Sequence, residues 1–533
     1  MPLLGVYQPT SPPFFDASGI VSAVARFREP AHIIYHPTAG AVGVAFGGTP
    51  VPCEAESDTA YGWVGSLPAL WPEWLGDRSF CATHGLRFPY VCGAMANGIG
   101  STAIVMAMAR AGMLGFFGSA GLSLTRIQAA VDELAVLGDL PYGCNLIHAP
   151  HEPHIEAGTV EIYLRAGVRR VEAAAFMALT APLVRYAASG LTQGADGHIH
   201  RVNHIFAKVS RPEVARRFLT PPPQELLNKL VAAGELTADE ARLAARLPVA
   251  EDVIVEADSG GHTDNRPLVA LFPLITALRD ELVRQHGYSR PIRVGAAGGL
   301  GTPAAVAAAF GMGAAFVLTG SVNQGAVESG TSALVREMLS RADFSDVAMA
   351  PAADMFEAGV EVQVLKRGTM FASRGHRLLD LYRRYDRWSD VPAEDQARVE
   401  QEILRAPYAE IWAECERFFE KRDPRQVAIA ARDPHHQMAL VFRWYLGMSS
   451  RWAIGGDASR AMDFQVWCGP AMGAFNQWVR GSFLAPTEAR SVVEIALNLL
   501  EGAATLTRAH QLSAYGVAVP AEAFVYFPRP LSA

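Results

Sequence analysis

Eight short apolar runs, separated by stretches with helical periodicity, occupy the middle of this 533-residue chain and constrain its fold more than any other feature. Each run is followed by glycine or polar residues, as expected where a buried strand ends in a turn. Strands that alternate with helices are typical of a parallel sheet, and eight such units close into a barrel. We therefore predict an α/β fold, specifically a (β/α)8 TIM barrel. The predicted strands are 88–92, 114–117, 142–146, 170–174, 205–209, 253–257, 292–294 and 316–318.

An open, doubly wound sheet is the alternative architecture for the same alternation. Its dinucleotide-binding form carries G-x-G-x-x-G directly after the first strand. The corresponding residues here, 93–98, are Gly-Ala-Met-Ala-Asn-Gly and lack that spacing. The sequence therefore favours the barrel.

The predicted barrel covers residues 86–340 and leaves additions at both ends. Residues 1–85 contain clustered aromatic residues and prolines and are predicted to form a small cap with β-structure, whereas residues 341–533 are predicted to be mostly helical. Within the barrel, the segment 211–251 contains two helical patterns, and Thr237 and Glu240 have the spacing of a capping box. We expect this insertion to form a lid over the barrel mouth, where it would exclude water.

The most distinctive motif is Glu-Ala-Asp-Ser-Gly-Gly-His-Thr-Asp-Asn-Arg-Pro at 256–267, directly after the sixth predicted strand. Barrel enzymes place catalytic groups at the carboxyl ends of their strands. Gly260 and Gly261 allow a tight turn and a close approach to a planar group, and His262 can act beside them as a donor or acid. Asp258 lies in the same loop. A loop with an ordinary surface histidine is the structural alternative.

Two glycine-containing loops follow the seventh and eighth predicted strands. Barrels commonly bind a phosphate between these loops, because free backbone N–H groups and a helix dipole favour an anion. The candidate residues are Gly298, Gly299, Gly320 and Ser321. One glycine-rich loop alone is usually only a turn, so the prediction depends on the two loops being neighbours.

Three histidines, at positions 148, 151 and 154, are spaced by three residues and suggest a metal site. Pro150 and Pro153 interrupt the helix that would bring the three side chains together. We therefore predict no metal site and retain His148 as a residue that lines the pocket.

Composition restricts the partners and the compartment. The net charge of −7, without a long basic run, gives no reason to expect nucleic acid. Six dispersed cysteines and an amino terminus unlike a signal peptide predict a cytoplasmic protein. Two uncharged stretches, 90–109 and 302–324, are interrupted by glycine, and we interpret them as strand–turn–helix units of the core and not as membrane spans.

One stretch, 366–387, is strongly basic. Such a stretch is usually a solvated helix face, and the alternative is a surface that receives an acidic carrier protein or a nucleotide phosphate. Charge reversal at Arg374 and Arg377 is the test that separates these two interpretations.

Four stretches together resemble the PfaD family of trans-acting enoyl reductases, which are flavin barrels similar to nitronate monooxygenases. The stretches are Asn-Leu-Ile-His at 145–148, the motif at 256–267, the turn at 299–303, and Met-Ala-Leu-Val-Phe-Arg-Trp-Tyr-Leu-Gly at 438–447. That family serves polyunsaturated-fatty-acid and polyketide synthases. The resemblance implies reduction of an α,β-unsaturated thioester on an acyl carrier protein, with FMN as relay and NADPH as the hydride source.

The resemblance also implies roles for individual residues. His262 is the implied catalytic residue, as electrophile and proton donor, with a bound water as the competing donor. The resemblance maps the family's third-strand asparagine onto Asn145, which would hydrogen-bond the pyrimidine edge of the flavin; Lys208 is a candidate from its strand-end position alone and would place a positive charge near N1. The alternative for each is a structural role, and for Lys208 it is that of a snorkelling surface residue. The full set of expected cofactor contacts is Ala94, Met95, Asn145, Lys208, Asp258, Gly260, Gly261, Gly298, Gly299, Gly320 and Ser321.

Two other functions are compatible with the same motifs. A nitronate monooxygenase-like flavin oxidase would pass electrons from its substrate to oxygen, and a non-catalytic flavin-binding subunit would only organise a synthase. The short segment before the barrel leaves no room for a fused acyltransferase, so we expect a stand-alone reductase, and a homodimer is compatible with it.

Overall fold

The computed structural model describes residues 3–52, 61–149 and 152–531. Ahead of the barrel, in the segment predicted as a cap, five strands form an antiparallel sheet with the order β3-β2-β5-β1-β4. Its core includes Ile33, Val44 and Phe46. The strands are β1 (Gly5–Gln8), β2 (Ala31–His36), β3 (Ala41–Phe46), β4 (Thr49–Pro52) and β5 (Tyr61–Leu67).

Eight parallel strands form a closed barrel with the order β12-β13-β15-β16-β6-β7-β8-β9, which confirms the predicted fold. Each predicted strand overlaps one of these eight. The remaining strands form two small antiparallel sheets, β10-β11 and β14-β18-β17. The bounds are β6 (Tyr90–Cys92), β7 (Leu114–Phe117), β8 (Gly143–Ile147), β9 (Arg170–Ala174), β10 (Thr192–Gln193), β11 (Ile199–His200), β12 (His204–Val209), β13 (Asp252–Glu256), β14 (Gly261–His262), β15 (Arg293–Ala297), β16 (Val317–Thr319), β17 (Val347–Pro351) and β18 (Glu361–Leu365).

Helices surround the barrel and cover one of its ends. Most begin with a serine, threonine or aspartate that accepts a backbone N–H, or with proline in the first turn. Their bounds are α1 (Ala17–Ala25), α2 (Arg78–His84), α3 (Thr102–Arg110), α4 (Leu124–Leu134), α5 (Pro153–Ala166), α6 (Ala181–Ala188), α7 (Pro212–Leu219), α8 (Gln224–Ala232), α9 (Ala238–Ala244), α10 (Leu268–His286), α11 (Pro303–Gly311), α12 (Ser321–Gln324), α13 (Ala333–Ser340), α14 (Phe371–Arg384), α15 (Ala393–Arg398), α16 (Tyr408–Arg422), α17 (Pro424–Ala430), α18 (Pro434–Gly455), α19 (Ala471–Val479) and α20 (Val492–Ala514).

The amino-terminal end of the barrel is closed by aromatic rings and a buried charge network. Phe80 of α2 stacks on Phe316, with ring centroids 4.2 Å apart. Asp252 accepts two hydrogen bonds from Arg293, at 2.7 and 2.8 Å, and lies 3.0 Å from Nε2 of His84. Aromatic packing and matched charges therefore plug the end of the barrel that barrel enzymes do not use for catalysis.

The helical insertion lies at this same amino-terminal end, so the prediction that it forms a lid over the mouth is wrong. Its helices α8 and α9 pack on α6, and the backbone N–H of Gly190, just beyond the end of α6, donates to Glu240. Barrel helices run antiparallel to the strands, so the end of α6 lies beside the strand amino termini. The capping box of Thr237 and Glu240 is present as predicted.

Helix α20, near the end of the chain, packs between α11 and α3 and thereby fills the eighth outer position of the barrel. Its apolar face, including Leu499 and Ala503, belongs to the main core. The chain thus leaves the barrel after β16, forms the region that includes α13 to α19, and returns as α20. The predicted boundary at residue 340 therefore cuts through a barrel that α20 completes.

The region between β16 and α20 reaches the carboxyl-terminal mouth of the barrel. There β14, which follows barrel strand β13, pairs with β18. A Cβ at Gly260 would lie 2.8 Å from the backbone nitrogen of Cys468. The carboxyl-terminal region, and not the α8–α9 insertion, therefore packs against the mouth.

Within the described ranges, no helix is both long enough and apolar enough to cross a membrane. Cys81, Cys92, Cys144, Cys415 and Cys468 are free thiols, and Cys53 lies outside the described residues.

Candidate active site

The Gly-Gly-His motif forms a tight loop at the mouth that is held by the carboxyl-terminal region. Gly261 has φ +84° and pairs with Gln363 of β18, while His262 pairs with Val362. Gln363 also donates to Asp258 Oδ1 at 2.8 Å. A left-handed φ and a contact that leaves no room for a Cβ at Gly260 explain why the motif requires two glycines. Asp258 therefore anchors the loop to β18.

His262 forms an ion pair with Asp354, a residue that sequence reasoning missed. The distance from Nε2 to Oδ1 is 3.3 Å, and the two side chains are 44% and 59% exposed. Burial lowers the pKa of the imidazole, but the hydrogen bond and charge of Asp354 outweigh burial, so the pKa of His262 is raised. The pair therefore favours a protonated imidazole at the open face of the barrel.

Lys208 lies between two carboxylates of neighbouring strands. Its Nζ is 2.9 Å from Glu256 and 3.8 Å from Glu172. Burial lowers the pKa of the ammonium, but both carboxylates raise it, and the net shift is upward. Lys208 is only 17% exposed, so the interpretation as a snorkelling surface residue is wrong. The charges of Glu256 and Lys208 also act on His262, in opposite directions.

Glu172 is the buried member of this cluster. Burial raises the pKa of its carboxyl group, against the charge of Lys208. Its Oε2 accepts the backbone N–H of Ala94 at 3.1 Å, while Oε1 has no hydrogen-bond partner among the described residues. The strand-end loop that carries Ala94 and Met95 is thereby attached to the Lys208 cluster. Neither Glu172 nor its contact with Ala94 was predicted.

Asn145 lies on β8 and is almost fully buried. Its Nδ2 donates to the backbone carbonyl of Glu172 at 3.0 Å, and its own backbone carbonyl accepts the hydroxyl of Tyr163 at 2.7 Å. Asn145 is thus a rigid element beside the Lys208 cluster.

The glycines of the two predicted phosphate loops differ in surroundings. A Cβ at Gly298, which has φ +89°, would lie 2.7 Å from the backbone of Ala257, so this glycine packs the loop on β13. At Gly299, with φ +72°, and at Gly320, a Cβ would meet no atom within 4 Å, and their N–H groups donate to no group in the described part of the chain. Ser321 Oγ accepts the N–H of Gly469 at 3.0 Å. Gly299 and Gly320 therefore leave an open surface with free donors.

Unusual backbone conformations concentrate at the same face. Asn97, Ala175 and Asn265 have φ of 57°, 63° and 49°, and each follows a barrel strand. Non-glycine residues rarely adopt this region, and those that do are frequent at active sites. Three of the four non-glycine residues with positive φ in the described ranges thus follow barrel strands, and the fourth, Arg405, lies in the helical region.

His148, at the end of β8, is oriented by a carboxylate. Its Nδ1 lies 3.1 Å from Glu156, and its ring stacks on Phe176 with centroids 5.2 Å apart. His151 lies outside the described residues, and His154 contacts a groove beside α16. The contacts of His148 are those of a positioned residue at the mouth.

The basic stretch 366–387 is largely neutralised within the protein. Arg374 pairs with the fully buried Asp463, and Arg377 pairs with Asp395. His376 lies 2.8 Å from Glu361. These contacts favour a structural role for Arg374 and Arg377 over the predicted carrier or nucleotide surface.

Two protein families match this chain. Residues 80–372 match the family described as nitronate monooxygenase. Residues 385–464 match the inserted helical domain of [acyl-carrier-protein] S-malonyltransferase.

Similar proteins come from biosynthetic synthases. A polyunsaturated fatty acid synthase subunit of Thraustochytrium sp. is 49% identical over 82% of this chain, which spans 30% of that relative. Polyketide biosynthesis protein PksE of Bacillus subtilis is 42% identical over 83% of this chain, which spans 58% of it. The chain thus covers less than two thirds of either relative.

A solved structure matches more completely. The enoyl reductase domain of MlnA, from the macrolactin biosynthesis cluster of Bacillus amyloliquefaciens, is 39% identical with a TM-score of 0.80. The match covers 83% of this chain and 99% of that domain.

Proposed function

Because this chain belongs to the nitronate monooxygenase family, we propose that it is an FMN-dependent enoyl reductase. Its substrate would be an α,β-unsaturated thioester on an acyl carrier protein in polyketide or polyunsaturated fatty acid biosynthesis, with NADPH as the hydride source. The similarity to the MlnA enoyl reductase domain and to synthase subunits supports the reaction class. The match to a helical domain of an enzyme named for acyl carrier protein supports the carrier as partner.

The single observation that carries this proposal is the His262–Asp354 pair, in which His262 lies on β14, just beyond barrel strand β13, and senses the charge of Lys208. A cationic imidazole at this face suits a reaction that builds negative charge on a carbonyl oxygen.

The loops after β15 and β16 fit the phosphate of FMN. Gly299 and Gly320 provide free N–H groups and open space, and Ser321 begins the short helix α12 beside them. Lys208 and Asn145 would face the ring system, as would Ala94 and Met95. The chemistry that FMN supplies when bound is hydride transfer between NADPH and the β-carbon of the substrate.

His262 would do the acid chemistry. In its protonated form it can donate a hydrogen bond to the thioester carbonyl oxygen, which stabilises the charge that develops when hydride reaches the β-carbon. It can then supply the proton that completes reduction, while Asp354 keeps the imidazole charged and oriented. The loop contacts through Gly260 and Asp258 hold this group in place.

The test is anaerobic turnover. Purified protein with FMN should oxidise NADPH on addition of a crotonyl thioester without oxygen, and should yield the saturated thioester. Turnover that requires a nitronate and oxygen would instead establish the oxidase. A protein that binds FMN, reduces nothing, and is needed only for synthase assembly would establish the non-catalytic alternative.

A further inference from the structure

We propose that a groove beside α16 is the docking surface for the acidic carrier domain that delivers the thioester, an inference that rests on the function proposed above. The α16 groove is lined by Ser123, His154, Ile155, Arg417, Phe418, Lys421 and Arg422 and has a volume of about 680 Å³.

The groove opens at the catalytic face of the barrel. Ser123 is the N-cap of α4, and His154 and Ile155 lie in the first turn of α5. Both helices follow barrel strands, so their first turns lie at the carboxyl-terminal mouth. Arg422 of α16 donates to Glu152 at 2.8 Å, which fixes α16 to the loop before α5. A domain seated in the groove therefore lies beside the loop that carries His148.

The groove contains three cationic side chains, of which only Arg422 is paired with a carboxylate, that of Glu152. Arg417 and Lys421 are exposed, and neither forms an ion pair with any residue in the ranges that the structure covers. None of the lining residues is acidic. The whole chain has a net charge of −7, so a basic groove is a local exception that would steer an acidic partner to this face.

An exposed aromatic side chain lies among these cations. Phe418 is 43% exposed, and Arg422 lies over its ring at 5.4 Å. Its ring makes an edge-to-face contact with Phe419, at 5.1 Å between centroids. An exposed aromatic group beside cations is suited to anchor an acidic helix, with apolar contact at the centre and charge at the rim.

The basic stretch 366–387 is less suited to bind an acidic partner. Arg374 and Arg377 already pair with Asp463 and Asp395, so a partner would have to displace internal ion pairs. The α16 groove takes its cations from residues 385–464, the helical segment whose family match supports the carrier as partner. Location, charge and exposed aromatic surface thus coincide at α16 and not at the basic stretch.

The experiment reverses two charges in the groove and two outside it. Arg417→Glu with Lys421→Glu changes the groove, and Arg383→Glu with Arg384→Glu is the matched control on the last turn of α14. Each protein is assayed with a crotonylated acyl carrier domain of a polyunsaturated fatty acid synthase and with S-crotonyl-N-acetylcysteamine. Binding of the fluorescently labelled carrier domain is measured separately by anisotropy.

We expect the groove variant to raise KM for the carrier substrate, and to weaken carrier binding, by about tenfold. Its kcat/KM for the small thioester should be unchanged, and the control variant should behave as wild type. Phe418→Ala should weaken carrier binding without altering the salt dependence. Unchanged carrier binding by the groove variant, or an equal loss in the control, would overturn the docking surface.

The two proposals fail differently. Wild-type protein that reduces neither crotonyl substrate overturns the proposed function, and the anisotropy measurement then still decides whether the carrier binds at α16. Wild-type reduction of both substrates, together with unchanged binding in the groove variant, overturns only the docking surface.

Discussion

At the amino-terminal end of the barrel, Asp252 is fully buried between Arg293 and His84, whereas at the carboxyl-terminal end His262 and Asp354 keep 44% and 59% of their side chains exposed. Both ends thus contain an imidazole beside a carboxylate. At the closed end two hydrogen bonds from an arginine occupy the carboxylate, and the cluster holds strands together. At the open end His262 and Asp354 remain partly exposed, so the imidazole can still contact a ligand. The contrast teaches that exposure and unused hydrogen-bonding capacity distinguish the proposed catalytic pair from the structural one.

The largest effect should come from the open end. His262→Ala removes the acid and should lower kcat/KM for a crotonyl thioester by roughly 10²–10⁴-fold, because that is the usual contribution of a positioned acid. The free energy of unfolding should stay near that of wild type, because the side chain is partly exposed. Steady-state kinetics and urea unfolding measure the two quantities. Full activity in this variant would leave the open-end pair with no catalytic role.

At the closed end the effect should fall on stability. Arg293→Met leaves Asp252 buried without its main partner and should cost about 3–5 kcal/mol of unfolding free energy. The control Arg216→Met breaks an exposed pair with Glu281 and should cost at most about 1 kcal/mol. Urea denaturation compares them. Equal losses would show that burial does not distinguish the two pairs.

The glycines of the two predicted phosphate loops also differ in whether they support the fold or leave open surface. Gly298→Ala places a Cβ against the backbone at a left-handed φ and should destabilise the fold by about 1–3 kcal/mol. Gly320→Ala meets no atom within 4 Å, so the fold should persist while FMN affinity falls by about tenfold. Thermal unfolding and flavin fluorescence titration measure these changes. Unaltered FMN affinity in Gly320→Ala would remove this loop from the site.

The α8–α9 insertion offers a smaller effect. Thr237→Ala removes the N-cap of α9 and should cost about 1 kcal/mol of stability. Because the insertion lies far from the mouth, KM and kcat should not change. Altered kinetics in a variant that remains folded would mean that the insertion reaches the catalytic face after all.

The smallest expected change is a shift of the pH–activity profile. Asp354 raises the pKa of His262, so activity that needs the charged imidazole is retained above the usual pKa of histidine and is lost as pH rises through the raised value. Asp354→Asn should move this descending limb to lower pH. The same sign applies to stability: the contribution of the pair is complete below the unfolded pKa and disappears at higher pH. A limb that stays in place would exclude His262 as the titrating acid.

The eight strands could be predicted because each is a short, mostly apolar run that ends in a turn, and a run such as 114–117 needs no tertiary information to be recognised. The position of the insertion could not be predicted by treating the whole connection as a loop after the strand. Helix α7 is the regular barrel helix of that unit, so the segment after α7 lies at the opposite end. Pro212 at the start of an amphipathic run was the available signal.

The residues of the candidate site also fall into those that a local motif predicts and those that only tertiary contacts reveal. His262 and the glycine loops have local motifs, and their positions at strand ends follow from the barrel. Asp354 and Glu172 have no such motif, because their roles come from contacts between elements that are distant in sequence. The neutralisation of Arg374 and Arg377 also depends on distant partners, which is why the basic stretch looked accessible from sequence alone.

The outer layer of the barrel cannot be completed until helix α20 has been synthesised. It fills the seam between α11 and α3, and its Arg508 and Glu501 hold the chain near Phe27 and Arg28, before the barrel begins. During translation, the apolar seam must therefore remain open until the last outer helix has left the ribosome, a period in which an incomplete barrel can aggregate. A premature stop codon before residue 492 would retain every proposed catalytic residue in the sequence and still remove the helix that fills this seam.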